Sequence, residues 1–204
     1  MNPRRRVARE AARLLYTGSC GEYKQAKEEA ALSLGVEAVP SNYEVAVELD
    51  LLADEVEGEG RQRLIIRMRR DALKVMRALA EFDPRLMGSV WRGTARRGSD
   101  IDIVVYESRP DEVVGRLAAA GFTVGDVEEA VASEGGRLRR SHHIAVRLDE
   151  GYEAEVVVRP PGERGEAERC EIYGDLKRGL SIPELEKLMR RDLLRRFVPR
   201  RRWR

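Results

Sequence analysis

The sequence is short of several things, and each shortage narrows what the chain can be. Aromatic residues make up 5% of its 204 positions, and only two cysteines and two histidines occur. Cys20 and Cys170 lie far apart with no partner at metal-ligand spacing. That excludes a disulfide-stapled scaffold or a cysteine zinc site and points to two reduced cysteines in a cytoplasmic protein. His142 and His143 are adjacent, so in a strand they face opposite ways and form no metal motif. No apolar run is long enough to span a bilayer. The basic N-terminus leads into an amphipathic stretch rather than a hydrophobic one, so neither a signal peptide nor a membrane partner is expected. Internal repeats and low-complexity linkers are absent. Lysine is scarce too: of 38 basic residues only five are lysine, leaving 33 arginines.

What is abundant is charge of both signs. Charged residues reach 36%, against about a quarter in an average domain, yet the formal net charge is only +2. Such a surface resembles the ion-pair-laced surfaces of thermophile proteins; an arginine-rich base composition gives the same bias. The length allows one large domain or two small ones with a proper core.

The first 83 residues read as helices. Apolar positions at helical spacing mark 3–16, 21–34 ended by Gly35, 41–56 and 61–82, which Asp83-Pro84 stops. Ser41 with Glu44 forms a capping box. The glycines of 57–60 read as a turn. From Arg85 the pattern changes. A short strand is expected over 85–89, a second over 100–107, a helix from Ser108 to Gly121, and strands over 141–148 and 152–158 joined by a hairpin at Asp149-Glu150-Gly151. Residues 122–134 fit either strand or helix. Ser181 and Glu184 cap a last helix over 182–197. The expected division is a helical region, 1–83, and a sheet-bearing region with a C-terminal helix and basic tail, 84–204.

The chemistry concentrates in one stretch, Gly88 to Tyr106. Residues i and i+2 of a strand share a face about 6–7 Å apart. Asp100 and Asp102 therefore stand side by side, with Ile101, Ile103 and Val105 on the other face. Adjacent carboxylates stay ionised most easily with a cation between them, and Mg²⁺ suits oxygen donors. Upstream, Gly88-Ser89 and the glycines at 93 and 98 let backbone N–H groups approach an anion. Anion cradle and metal carboxylates together suggest a nucleoside triphosphate with its metal. The strand 152–158 adds Glu153 and Glu155 on one face, either of which supplies a third carboxylate for a two-metal site. Trp91 suits either base stacking or core packing.

In these residues the sequence resembles the DNA polymerase beta-type nucleotidyltransferase superfamily. Gly88-Ser89, Arg92-Gly93, Asp100-Ile101-Asp102 and the Ala154-Glu155-Val156-Val157 run follow that family's signature in order. With the helical prefix the chain also resembles archaeal proteins known only as nucleotidyltransferase-domain proteins. The resemblance covers roughly 85–160. It implies an α+β fold, a mixed sheet core flanked by helices, and an enzyme moving an NMP from an NTP such as ATP to a hydroxyl acceptor, with release of pyrophosphate. Asp100, Asp102 and Glu155 become the catalytic metal ligands for two Mg²⁺, with Mn²⁺ as substitute and Glu153 as the alternative third ligand. Gly88, Ser89, Arg92 and Ser99 become the nucleotide-binding set, although Ser99 also suits a plain turn. The family's third acid is usually Asp, and here it is Glu. That departure supports an alternative: a catalytically weak or inactive module that binds RNA or a protein partner. The acceptor class stays open between an RNA or tRNA end, a protein and a small molecule. The tail Arg195–Arg204, with Phe197 and Trp203, suits RNA phosphates and bases as well as it suits a solvated helix end.

Overall fold

In a computed structural model of the chain, residues 2–134, 137–149 and 151–199 are described. The far end of the basic tail, residues 200–204 with Trp203, lies outside them. Among the described residues no helix is long and apolar enough to cross a membrane, and Cys20 and Cys170 are both free thiols.

The chain divides into two compact units. The first comprises the residues up to Arg61, with Arg169–Leu176 and the segment beginning at Val198. It is built on helices α1 (Pro3–Tyr16), α2 (Tyr23–Leu34) and α3 (Asn42–Glu57). Its core is made largely of alanines, Ala8, Ala11, Ala12, Ala26 and Ala30, with Val7, Leu15 and Val45. Such small residues let helix axes approach closely. The Ser41–Glu44 capping box forms as expected, and Glu44 also accepts from Arg4 at 2.8 Å. Glu48 is fully buried, and Arg5 and Arg9 neutralise it at 2.7 and 3.5 Å. Arg61 is buried too, held by Asp50 and Asp54 at 2.6 and 2.7 Å. Some of the arginines thus serve buried charge within the fold. The turn expected over 57–60 shrinks to Gly58, whose φ of 54° only glycine adopts readily, and α4 (Glu59–Ala78) follows at once.

The second unit, Gln62–Glu168 with Lys177–Phe197, carries the sheet. Its strands are β1 (Arg85–Leu86), β2 (Ile101–Tyr106), β3 (Thr123–Glu134), β4 (Arg137–Arg147) and β5 (Glu153–Arg159). Their order is β1-β2-β5-β4-β3, and only the β2–β5 pair is parallel. The α+β class and mixed sheet expected from sequence are what the fold contains. One sheet face is apolar. Ile101, Ile103, Val105, Ile144, Val146, Val156 and Val158 lie in a single core with Met68, Met76 and Leu79 of α4, with α6 (Pro110–Ala119), and with α7 (Ile182–Arg191). The inner stripe of α4 belongs to this core because its apolar residues recur at helical spacing opposite the sheet.

Four local expectations differ from the structure. The strand expected over 85–89 stops at Leu86, and Gly88–Arg92 forms a short helix, α5. The ambiguous stretch 122–134 is one long strand. A register shift between Val124 and Val127 explains why its period was unreadable. Strand β4 begins at Arg137, ahead of the expected 141. Helix α7 ends at Arg191 instead of reaching 197, because the carbonyls of Leu193 and Arg195 accept from the Arg69 guanidinium at 2.6 and 2.9 Å.

Arg69 is fully buried on α4. It also donates to the carbonyls of Val90 and Trp91, both at 3.1 Å. One side chain thus ties α5 to the segment after α7. Burial pushes its pKa down to about 10, opposed by Asp192, so it remains charged at neutral pH. Replacing it with Met keeps the volume and strips four carbonyls of their donor, the two of α5 buried and the two after α7 part-buried. Arg69→Met is expected to lower unfolding stability by roughly 3–5 kcal/mol, read as a drop in the thermal midpoint. Arg69→Lys should rescue little, since one ammonium cannot reproduce the fork.

Candidate functional site

The sheet's second face is polar, and the strand register decides what it gathers. Asp102 pairs with Glu155 across the parallel β2–β5 ladder, so their side chains share a face. One step back along the same face stand Asp100 and Glu153. On β4, Ala145 lies opposite Glu155 and Arg147 opposite Glu153. Next in the sheet, Glu128 of β3 pairs with His143. Irregular backbone at Gly125 and Asp126 keeps Asp126 on the same side. A cavity of about 280 Å³ opens here, lined by Asp100, Asp102, Asp126, Glu128, Glu153 and Glu155, with His143 between them.

So many carboxylates in one place disturb each other's ionisation. Burial, then Glu155, then Asp100 push the Asp102 pKa up to about 6. Burial, Glu153 and Glu155 raise that of Asp100 as well. Glu155 Oε1 and His143 Nδ1 are hydrogen-bonded at 3.0 Å, and His143 Nε2 meets Ser141 Oγ at 3.1 Å. Further along this face, Glu168 pairs with Arg159, with Arg139 at 3.2 Å and with Lys177 at 3.4 Å.

Asp102 is covered from above by Gly88. A Cβ built on Gly88 would lie 1.7 Å from Asp102 Oδ2, and the residue has φ of 61°. Met87 N donates to the Asp102 carbonyl at 2.7 Å. Position 88 therefore needs glycine on two counts, space and backbone conformation. Ser89 follows in the first turn of α5, partly buried, its carbonyl accepting from Thr94 N at 2.9 Å.

The rest of the expected nucleotide set does not gather here. Arg92 is buried; it donates to the Phe197 carbonyl at 2.9 Å and lies over Trp91, which belongs to the core. Gly93 makes room for the C-terminal segment: a Cβ there would come within 2.7 Å of the Arg195 carbonyl. Ser99 accepts from Arg96 N at 3.0 Å and closes a turn. In place of these, the structure adds Asp126, Glu128 and His143, which the sequence reading did not select. The alternation of Ser141, His143, Ala145 and Arg147 against Ile144 and Val146 was the signal that could have found His143.

The donor set suits a hard divalent cation: several carboxylates, with the pKa values of Asp100 and Asp102 raised by burial first and then by neighbouring carboxylates, a repulsion that a cation would relieve. Among the described residues no three His, Cys, Asp or Glu side chains already converge on one point as metal ligands. Glu155 is turned to His143 instead.

Compared with known proteins, residues 70–178 match the model of the nucleotidyltransferase domain, a span that contains all five strands and every carboxylate of the cavity. Among solved structures, a cytoplasmic RNA terminal U-transferase is 16% identical over 57% of this chain and 34% of its own, with a TM-score of 0.29. A poly(U) polymerase with MgGTP bound is 18% identical over 54% of this chain and 38% of its own, with a TM-score of 0.28. The chain thus spans little more than a third of those proteins. No curated protein matches it.

The Asp102 shift has a testable sign. Its folded value of about 6 exceeds the ordinary 3.8. The native state therefore holds the proton more tightly, and the stability tied to this group is fully present below about pH 4 and lost as pH rises through about 6. Asp102→Asn removes the charge. Its thermal midpoint should match wild type near pH 4, exceed it by a few degrees above pH 6, and plateau there. A difference that shrinks with rising pH would contradict the electrostatic origin of the shift.

Proposed function

The chain belongs to the nucleotidyltransferase-domain family, and from that premise we propose that it transfers a nucleoside monophosphate from a nucleoside triphosphate to a hydroxyl acceptor. The observation that carries this reading is the pairing of Asp100 and Asp102 with Glu153 and Glu155 on one sheet face, under a glycine that only a bare backbone can occupy.

We assign Asp100 and Asp102 as ligands for two Mg²⁺ ions, with Mn²⁺ as substitute. Glu155 is the third ligand and Glu153 the alternative. Register favours Glu155, which is the direct partner of Asp102, whereas Glu153 stands opposite Arg147. Glu155 is half-exposed and would have to turn away from His143 to serve as a ligand. Bound there, the divalent ions supply charge neutralisation for the triphosphate and lower the pKa of an attacking hydroxyl. Gly88 brings the chain close to the carboxylates, and the Ser89 hydroxyl with neighbouring N–H groups holds the terminal phosphates. Arg92 and Ser99 take no part, since both are engaged within the fold. The acceptor oxygen forms the new bond to the α-phosphorus. The bridging P–O bond breaks with its electron pair on the departing pyrophosphate, and the hydroxyl proton passes to solvent.

A second reading, a fold retained for binding without turnover, is favoured by the engagement of Glu155 with His143 and by the longer side chain of Glu at the third acidic position. One experiment separates the two. The chain is incubated with each α-labelled NTP, Mg²⁺ or Mn²⁺, and RNA and protein from its source cell; label in any fraction supports transfer, and none supports the binding module. In parallel, calorimetric titration of Mg-ATP should give heat with wild type and none with Asp100→Ala/Asp102→Ala. Gly88→Ala should abolish that heat as well, because its Cβ displaces the Asp102 carboxylate. Equal heats from all three would sink the metal-site assignment.

A further inference from the structure

Helix α4 presents a cationic face that the proposed chemistry does not use. Its solvent-exposed positions from residue 63 onward are Arg63, Arg67, Arg70, Lys74 and Arg77, each three or four residues from the last. That spacing is one helical face, and it spans about 21 Å at the usual rise per residue. The buried positions between them, Ile65, Met68, Ala72, Val75 and Met76, fasten the helix to the sheet core, so the face is rigidly held. Beside it lies a groove of about 450 Å³, lined by Arg67, Arg70 and Lys74 on one wall and by Phe122, Thr123 and Arg147 on the other. Asp71 and Asp149 also line it. Asp71 is taken up by Lys74 at 2.7 Å and by the Tyr152 hydroxyl, and Arg77 pairs with Glu186 at 2.7 Å.

The groove adjoins the acidic cavity. Arg147 of the groove pairs in register with Glu153 of the cavity, and Thr123 of the groove precedes Asp126 of the cavity by three residues. At that point, Arg147 and Glu153 are a single strand spacing apart, about 5 Å. A row of cations with an aromatic side chain among them is what tracks a phosphodiester backbone while leaving a π-face for a base. An acidic protein surface would match the charge but would have no use for Phe122 or for a groove that ends at a cluster of carboxylates. We propose that the exposed face of α4, with Arg147 and the adjoining groove, binds the phosphodiester backbone of a nucleic-acid strand and delivers the strand's end to the acidic cavity. The inference rests on the function proposed above for the delivery of that end; binding by the face stands without it. It locates the strand on α4, not on the C-terminal tail.

The test uses the full chain and a short 5′-labelled single-stranded RNA, with its DNA counterpart as a second arm, followed by fluorescence anisotropy across a KCl series. Arg67→Ala/Arg70→Ala should weaken binding about tenfold or more and flatten the slope of log affinity against log salt by about 1.4, roughly 0.7 per lost phosphate contact. Arg67→Lys/Arg70→Lys should keep the wild-type slope. A chain shortened by residues 200–204 should bind nearly as wild type. Unchanged affinity and slope in the alanine variant would overturn the proposal, as would loss of binding on tail removal alone. Preference of wild type for poly-glutamate over RNA would overturn it in favour of an acidic protein partner. Mg-ATP heat should be the same in the alanine variant as in wild type. If wild type gives no such heat while strand binding still depends on Arg67 and Arg70, the proposed chemistry fails and the nucleic-acid face stands.

Discussion

Like charges held side by side oppose folding, and this chain holds several on one face of one sheet. The cause is the parallel pairing of β2 with β5, which sets Asp102 against Glu155 and Asp100 beside Glu153. A one-residue slip of either strand would turn the acids into the apolar core and the isoleucines and valines toward solvent. The register is therefore fixed from the opposite side of the sheet. Ile101, Ile103, Val156 and Val158 are nearly fully buried, and each contributes about 1.5–3 kcal/mol of burial that a slipped register would forfeit. The apolar face stabilises the arrangement that the polar face resists. Local strain of this kind is what a site for charged ligands requires, since whatever relieves the repulsion binds there.

Arginine resolves a second conflict. The segment after α7 has carbonyls with no strand or helix to satisfy them, and it must lie against α5 close to Gly88. A hydrophobic contact would leave those carbonyls unpaired. Arg69 reaches two of them, Leu193 and Arg195, together with the Val90 and Trp91 carbonyls of α5, and Arg92 adds a third at Phe197. The guanidinium suits this because its five N–H groups fan out in a plane. Arg61 and Glu48 show the same use of buried charge in the helical unit. The high charge content is thus partly internal architecture and not only surface.

How much of this was legible in the sequence depends on the range of the interaction that decides each feature. Helix boundaries set by local signals were readable: the Ser41–Glu44 and Ser181–Glu184 boxes, and Gly35 in a left-handed cap. Asp100 and Asp102 were readable as a pair because period two within one strand is a local rule. Glu153 and Glu155 could be placed on one face but not ranked, since the ranking lies in a ladder between strands some fifty positions apart. Arg92 and Ser99, expected in the nucleotide-binding set, illustrate the same dependence. A basic or hydroxyl residue near a glycine turn looks available, and only the fold reveals that Phe197 and Arg96 already engage it. Asp126 and Glu128 were hidden by irregular pairing at Gly125, which breaks the alternation that would have marked their face.

The two faces of α4 connect these observations. On the inner side apolar residues anchor the sheet and Arg69 anchors α5, so α4 sets the position of Gly88 over Asp102. On the outer side every exposed residue from 63 to 77 is cationic except the small or partly shielded ones between. A helix that only braced a core would be served as well by mixed charges, and alternating signs would add i to i+4 pairs that like charges forgo. Five cations in a row cost the helix a few tenths of a kcal/mol for each repelling neighbour. Their groove reaches Arg147, which lies one strand spacing from Glu153 of the carboxylate cavity, so the charge changes sign between those two residues. A polyanion bound to the cationic face, as proposed, would be kept out of the acidic cavity by its own charge unless a cation were there to meet it. On the chemistry proposed above, that sets an ordering, metal before strand, in which a cation at the acidic site is what lets the end of a bound strand approach Asp102.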